Sequence, residues 1–253
     1  MTAASAGADI VAIPFSPPVD RSLVYRVDQS RTIESAMRRF TATRSLRFTR
    51  DGDGYRLQAT LVAIDSDAPP AAAEPFRAAL TPLVGVEMHF RLDAQGHIQS
   101  LDDMDQVWAS VESGLARMIG TFAPDTPRHR AGVAVQALFA GLAPQSRLAL
   151  LAGEYQPLLL FAGGNVDDAT GRGVRTVAGS PLGRPVSVEG VLHVKGRSGD
   201  QLELEEVLAG NGVDVTMHYR LSGATGLVEH QVRRMVMGER RLVEERDLRP
   251  ARP

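Results

Sequence analysis

The 253-residue sequence contains no cysteine, one lysine (Lys195) and one tryptophan, and aromatic residues make up only 5% of it. The absence of cysteine excludes thiolate zinc sites, iron–sulfur clusters and cysteine nucleophiles. The formal net charge is only −2, which argues against a protein that neutralises the phosphates of a nucleic acid. No apolar run approaches the roughly 18 residues that a membrane span requires, so we expect a soluble chain without a transmembrane segment.

The first twenty residues are rich in alanine and are broken by three prolines. Proline prevents regular structure at such positions, which predicts a flexible leader over residues 1–20 and a single domain over residues 21–253. Ala4-Ser5-Ala6 has the small-x-small form of a signal-peptidase site. We therefore expect a periplasmic protein whose signal peptide has been removed, with a cytoplasmic protein carrying an alanine-rich leader as the alternative.

An internal repeat is the strongest pattern in the sequence. Residues 84–92 read V-G-V-E-M-H-F-R-L and residues 213–221 read V-D-V-T-M-H-Y-R-L, so seven of nine positions are identical or closely similar. Upstream, residues 48–58 and 194–204 match more loosely, each as a strand, a Gly/Asp turn and a second strand. The pattern predicts a duplication of one antiparallel β unit.

The spacing of apolar residues predicts the secondary structure. In both matching segments apolar and polar residues alternate, as in strands with one buried and one wet face. Between the two units the period changes to 3.6 over residues 104–122, which predicts a helix. Further helices are predicted to begin at Pro127 and Pro144, with a short one within residues 69–82.

These elements predict an α+β fold. The two repeated antiparallel units, residues 21–101 and 153–250, would form one long twisted sheet or a half-open barrel. The helical segment, residues 102–152, would pack on its inner face, because every element has one apolar side to bury. The arginine pairs Arg38-Arg39 and Arg233-Arg234 lie in polar segments and are predicted to occupy solvated strand faces.

Patterns that carry chemistry are sparse. The six histidines lack metal-ligand spacing. His89 and His218 occupy equivalent positions in the two units, which would allow them to converge on a metal or acid–base site, although duplication alone explains the pair. Ser180 misses the spacing of a nucleophile elbow by one residue. We therefore predict no catalytic residue, no metal site and no cofactor, and we favour a protein that is not an enzyme.

The duplicated V-x-M-H-[FY]-R-L strand, the leader that looks cleaved and the helices on one sheet face resemble uncharacterised bacterial envelope proteins. More distantly they resemble the lipoprotein-carrier class, whose half-open β-barrel closes over helices and holds acyl chains. The resemblance covers residues 21–250 and extends to the architecture alone, since the chain has no lipobox cysteine.

We therefore expect a non-enzymatic, extracytoplasmic protein that binds a hydrophobic small molecule or a lipid in a cavity. The expected lining residues are apolar side chains of the sheet and of the central helix: Met88, Phe90, Trp108, Met217 and Tyr219. The alternative is an envelope interaction or scaffold protein with a solid core, which would use an exposed strand edge or the leader to bind a protein partner. An enzyme of unknown reaction that uses the face carrying His89 and His218 is the third reading.

Overall fold

The structure, a computed structural model, describes residues 10–167, 171–178 and 186–252. Within these ranges, alternating apolar and polar residues form thirteen strands. They are β1 (Ile10–Ile13), β2 (Ser22–Ile33), β3 (Ala36–Asp51), β4 (Gly54–Ser66), β5 (Glu87–Leu92), β6 (Ile98–Leu101), β7 (Gly164–Asp167), β8 (Arg172–Ala178), β9 (Val186–Ser198), β10 (Gln201–Gly210), β11 (Val213–Ser222), β12 (Val228–Met237) and β13 (Arg240–Pro250).

Eleven of these strands form one large antiparallel sheet that is not closed into a barrel. Its order is β6-β5-β4-β3-β2-β13-β12-β11-β10-β9-β8, and β1 pairs separately with β7. Strand β13 follows all the others in sequence but lies between β2 and β12, so it joins the two halves of the sheet. Together with the helices, this arrangement confirms the predicted α+β class.

The two matching segments supply β5 and β11, which lie six positions apart in the sheet. Because neighbouring strands are antiparallel and six is an even number, β5 and β11 run in the same direction. A spacing of about 4.8 Å between strands separates them by roughly 29 Å along the sheet.

Five α-helices lie among the described residues: α1 (Pro70–Leu80), α2 (Met104–Gly120), α3 (Pro127–Ala140), α4 (Pro144–Ala152) and α5 (Gln156–Leu159). The predicted starts at Pro127 and Pro144 are confirmed, and at the first of them Thr126 Oγ1 accepts a hydrogen bond from the His129 amide. None of these helices is long and apolar enough to cross a membrane.

The helices cover one face of the sheet, which we call the inner face. The main core cluster joins inner-face side chains of β2 to β6 to residues of α2, α4 and α5. Phe76 of α1 packs against Phe40 of β3 with ring centroids 5.3 Å apart. The expectation of helices on the inner face of the sheet therefore agrees with the structure.

Part of the segment expected to be a flexible leader is packed against the domain. Strand β1 pairs with β7, and Ile13 is only 1% exposed. Phe15 packs edge-on against Phe48 and Tyr55, with centroid distances of 6.2 and 5.0 Å. Residues Val11 to Phe15 are alternately buried and exposed, as in a strand that packs one face against the domain. Residues 1–9, including Ala4-Ser5-Ala6, and Ser180 lie outside the described residues.

Candidate functional site

The register of the sheet aligns one inner-face residue from each of eight neighbouring strands. We call this set the cross-strand row. In sheet order from β8 to β3 it consists of Val174, Gly190, Leu208, Val215, Met235, Leu242, Arg31 and Arg38. Six consecutive positions are apolar and the last two are arginines, so the row has the polarity of an amphipathic molecule.

The apolar part of the cross-strand row is buried in its middle and partly exposed at both ends. Leu208 and Val215 are each 1% exposed and pack in a cluster whose described members all come from strands. Met235 and Leu242 are half-buried, and Met237, two residues along β12 on the same face, is 41% exposed. Apolar surface of the row therefore faces solvent at β12 and β13.

The two arginines of the row lie directly opposite each other on β2 and β3. The ion pairs of the described residues involve other arginines, and the Arg31 guanidinium instead lies 4.4 Å from the centroid of the Phe40 ring. Burial and, secondly, the charge of Arg128 on α3 lower the pKa of Arg31. Neither arginine of the row therefore has a carboxylate partner among the described residues.

Arg38 and Arg233 correct an expectation from the sequence. Both were predicted to lie on solvated strand faces, yet both lie on the inner face with a buried Nε atom that has no hydrogen-bond partner among the described residues. Gln231 Oε1 is also buried without such a partner. Because an unpaired buried polar atom costs about 1–3 kcal/mol, these atoms mark positions where water or a ligand group can bind.

A buried ionic network lies beside the cross-strand row. Arg246 Nε donates to Glu244 Oε1 over 2.8 Å, and its Nη1 donates to the Tyr25 hydroxyl over 2.9 Å and to the Glu154 carbonyl over 3.0 Å. Gln29 Nε2 donates to Glu244 Oε2 over 2.8 Å. The network connects β13 and β2 to the segment between α4 and α5, so it holds these three elements together beside the row.

The pKa values of this network follow from burial and charge. Burial raises the pKa of Tyr25 to about 12, against a smaller lowering by Arg246. Burial alone would also raise the pKa of Glu244, but the Arg246 charge and the hydrogen bonds from Arg246 and Gln29 outweigh it and lower that pKa. Glu244 therefore stays ionised and holds Arg246 in place.

The five expected lining residues do not meet at one place. Met88 and Phe90 are buried in the main core cluster, while Met217 and Tyr219 belong to a second cluster under β1 and β7. Trp108 is buried on α2, where its Nε1 donates to Glu112 over 3.0 Å. Of the five, Met217 is the one that packs against the apolar part of the cross-strand row.

The two equivalent histidines do not converge. They lie on strands six positions apart, and each contacts its own carboxylate: His89 Nε2 lies 2.7 Å from Glu87 Oε1, and His218 Nδ1 lies 3.5 Å from Glu205 Oε1. This separation gives no support to a joint acid–base or metal site.

A different group of ligand-type side chains lies on the outer face of the sheet. His230, Glu245 and Asp247 offer ligand atoms within 4.8 Å of one another. His230 Nδ1 and Asp247 Oδ1 are 2.8 Å apart, as in an ordinary hydrogen-bonded pair. Sequence spacing did not reveal the group because β12 and β13 contribute to it jointly.

A depression in the described surface lies at β8 and β9, where the cross-strand row begins. It has a volume of about 410 Å³ and is lined by residues 173–175, Glu189 and Gly190. It is open to solvent, so it differs from the enclosed cavity that we expected. A smaller depression of about 120 Å³ lies between β1 and the turn that joins β9 to β10.

No family model and no curated protein matches the chain. Among solved structures it is similar to one titled "Lipid-protein interactions in lipovitellin", with 7% sequence identity and a TM-score of 0.42. The match covers 95% of this chain and 26% of that chain, so this chain spans about a quarter of its length. A similarity of this size does not establish a function.

Proposed function

We propose that the protein binds an amphipathic, lipid-like molecule on the inner face of its sheet and catalyses no reaction. The observation that carries the proposal is the cross-strand row, in which six apolar positions from β8 to β13 end at Arg31 and Arg38. An amphiphile that lies across the strands would match this order of apolar and polar surface.

The apolar part of the row is long enough for an acyl chain. From Leu242 to Val174 it crosses six strands, or about 24 Å along the sheet at the usual strand spacing. Leu208 and Val215 in its middle are already buried, so a ligand would contact the half-buried Leu242, Met235 and Val174. One leaflet of a bilayer's hydrocarbon core is about 15 Å thick. Each methylene that leaves water on binding contributes about 0.8 kcal/mol, so partial coverage of the row is enough for measurable affinity.

The methionines beside the row suit a ligand of variable shape. Met217 and Met235 are partly buried and pack against the apolar cluster, and Met237 is exposed at its edge. Methionine is flexible and polarizable, so it fits its packing to different apolar partners. This composition favours a site that accepts several acyl chains over a site shaped for one molecule.

The proposal includes the extracytoplasmic location expected from the sequence. Separation of a native host into periplasmic and cytoplasmic fractions, followed by immunodetection of the protein, tests this part independently of binding.

The test of binding is native mass spectrometry of gently purified protein, followed by organic extraction of any adduct. We expect a stoichiometric apolar adduct that is lost in Met235→Glu, which places a charge on the row. Val236→Glu is the matched control, because Val236 is the next residue of β12, is 38% exposed and faces the opposite side. An apo mass together with no saturable binding of added lipids would reject the proposal in favour of a protein-interaction role.

A further inference from the structure

We infer that the polar group of the ligand is an anion, a carboxylate or a phosphate, bound by Arg31 and Arg38 at the end of the cross-strand row. The inference rests on the proposed function and adds the chemistry of the head group. It assigns a binding role to two arginines that contact no carboxylate among the described residues.

Two arginines without a carboxylate partner occupy neighbouring positions on the inner face of β2 and β3. Arg31 and Arg38 are directly paired in the register, and the charge of Arg128 on α3 also acts on Arg31, so this end of the row is positively charged. Two arginines nearby are neutralised instead, since Arg246 contacts Glu244 and Arg44 contacts Glu154. An anion bound by Arg31 and Arg38 would supply the charged partner that they lack.

The register of the hairpin holds the two arginines in opposition. Strands β2 and β3 are joined by the two residues Glu34 and Ser35, both with positive φ, at 50° and 68°. A two-residue turn of this kind fixes the pairing of the flanking strands. A slip by one residue would move every side chain to the other face, so the arginines cannot separate without breaking the core contacts of β2.

Packing on Phe40 also orients the N–H donors of Arg31. The Arg31 guanidinium stacks over the ring of Phe40, which is 3% exposed and fixed by Phe76. Stacking on a ring leaves the N–H groups pointing outward in the guanidinium plane, where a carboxylate or phosphate accepts two of them. Arg38 Nε is buried and has no hydrogen-bond partner in the described chain, so the paired position on β3 carries a second unpaired donor.

The Arg31–Arg38 pair lies directly beside the apolar part of the cross-strand row, so one ligand can contact both. Leu242 is the direct neighbour of Arg31 in the row, so polar and apolar surfaces meet between β2 and β13. A single-chain amphiphile with its anion at the arginines would place its first methylenes on Leu242 and Met235, the two half-buried apolar residues.

The experiment compares three amphiphiles with the same oleoyl chain on the full-length, delipidated protein. Oleate carries a carboxylate, lysophosphatidic acid a phosphate and monooleoylglycerol no charge, and each is titrated below its micelle concentration by calorimetry. We expect both anions to bind about tenfold tighter than monooleoylglycerol, with an advantage that falls as salt rises. The ratio of the two anions' Kd values shows which head group the site prefers.

Two double variants test whether Arg31 and Arg38 cause the preference for anionic amphiphiles. Arg31→Gln combined with Arg38→Gln should remove the preference for anions and leave the affinity for monooleoylglycerol unchanged. Arg39→Gln combined with Arg241→Gln makes the same change in net charge on the outer face of β3 and β13, so it should keep the preference. Circular dichroism melting confirms that both double variants are folded.

The outcomes separate this inference from the proposed function. Equal affinities of the wild type for all three amphiphiles, or equal losses in both double variants, would overturn the anion site and leave lipid binding standing. Failure of all three amphiphiles and of inorganic phosphate to bind would overturn both. Binding of inorganic phosphate alone, lost in the Arg31/Arg38 variant, would support the anion site and reject the lipid-binding function.

Discussion

The guanidinium of Arg246 on β13 donates a hydrogen bond over 2.9 Å to the hydroxyl of Tyr25 on β2. Both side chains are buried on the inner face, next to the cross-strand row. The contact links strands that are more than two hundred residues apart in sequence, so its loss should destabilise the whole sheet.

Tyr25→Phe should lower the free energy of unfolding by about 1.5–3 kcal/mol, because it leaves a buried charged donor without this acceptor. The control is Tyr55→Phe, since the Tyr55 hydroxyl donates only a long hydrogen bond of 3.5 Å to the neutral Phe15 carbonyl and its loss should cost about 0.5 kcal/mol. Urea unfolding followed by Trp108 fluorescence measures both. Equal costs would mean that the Arg246 contact contributes nothing specific.

Acid should destabilise the protein through Glu244. Its folded pKa lies below the ordinary value of 4.5, so its contribution to stability is complete above about pH 4.5 and is lost as the pH falls through the lower, folded pKa. The melting temperature of the wild type should therefore drop more steeply below pH 4.5 than that of Glu244→Gln. Glu245→Gln changes an exposed neighbour on the outer face and should keep the wild-type dependence of melting temperature on pH. If Glu245→Gln reduced this dependence as much as Glu244→Gln does, Glu244 would be excluded as the source of the acid sensitivity.

Helices α1 and α2 approach closely at Gly114. A Cβ atom at this position would collide with the carbonyl oxygen of Ala79, which belongs to the backbone and cannot move aside alone. Gly114→Ala should therefore cost about 1–3 kcal/mol of unfolding free energy in thermal or urea denaturation. Gly120→Ala in the same helix meets nothing within 4 Å and should gain up to about 1 kcal/mol. A stable Gly114→Ala variant would show that the two helices can separate freely.

The segment before β2 should contribute to stability through Ile13. Ile13→Ala should cost about 2–5 kcal/mol because Ile13 is 1% exposed, whereas Ile10→Ala should stay within about 0.5 kcal/mol because Ile10 is 66% exposed. Chemical denaturation of the two variants measures the difference. If neither substitution changed the unfolding midpoint, β1 would not be docked in solution.

Local patterns in the sequence were enough to place most elements. The 3.6-residue period over residues 104–122 became α2 (Met104–Gly120), and prolines at Pro127 and Pro144 occupy first-turn positions that need no amide donor. Alternation identified β5 and β11 in the same way. These signals succeed because each depends only on neighbouring residues.

The candidate site could not be found in this way. The cross-strand row depends on the register between strands as distant in sequence as β2 and β13, and Leu242 and Arg31 meet only through that register. The turn that opposes Arg31 and Arg38 consists of Glu34 and Ser35, without the Asn or Gly that usually signals a two-residue hairpin. The five expected lining residues were chosen by apolarity, which does not distinguish a packed core from a ligand surface.

The central position of β13 has a consequence for the order of folding. Strands β2–β6 and β8–β12 can form two separate half-sheets during synthesis, but β2 and β12 each keep an unpaired edge until residues 240–250 are made. Such edges invite pairing with other chains, and contacts this distant in sequence form slowly. The nascent protein is therefore most vulnerable to aggregation just before β13 is synthesised, and loss of β13 would leave two open half-sheets rather than a slightly smaller sheet.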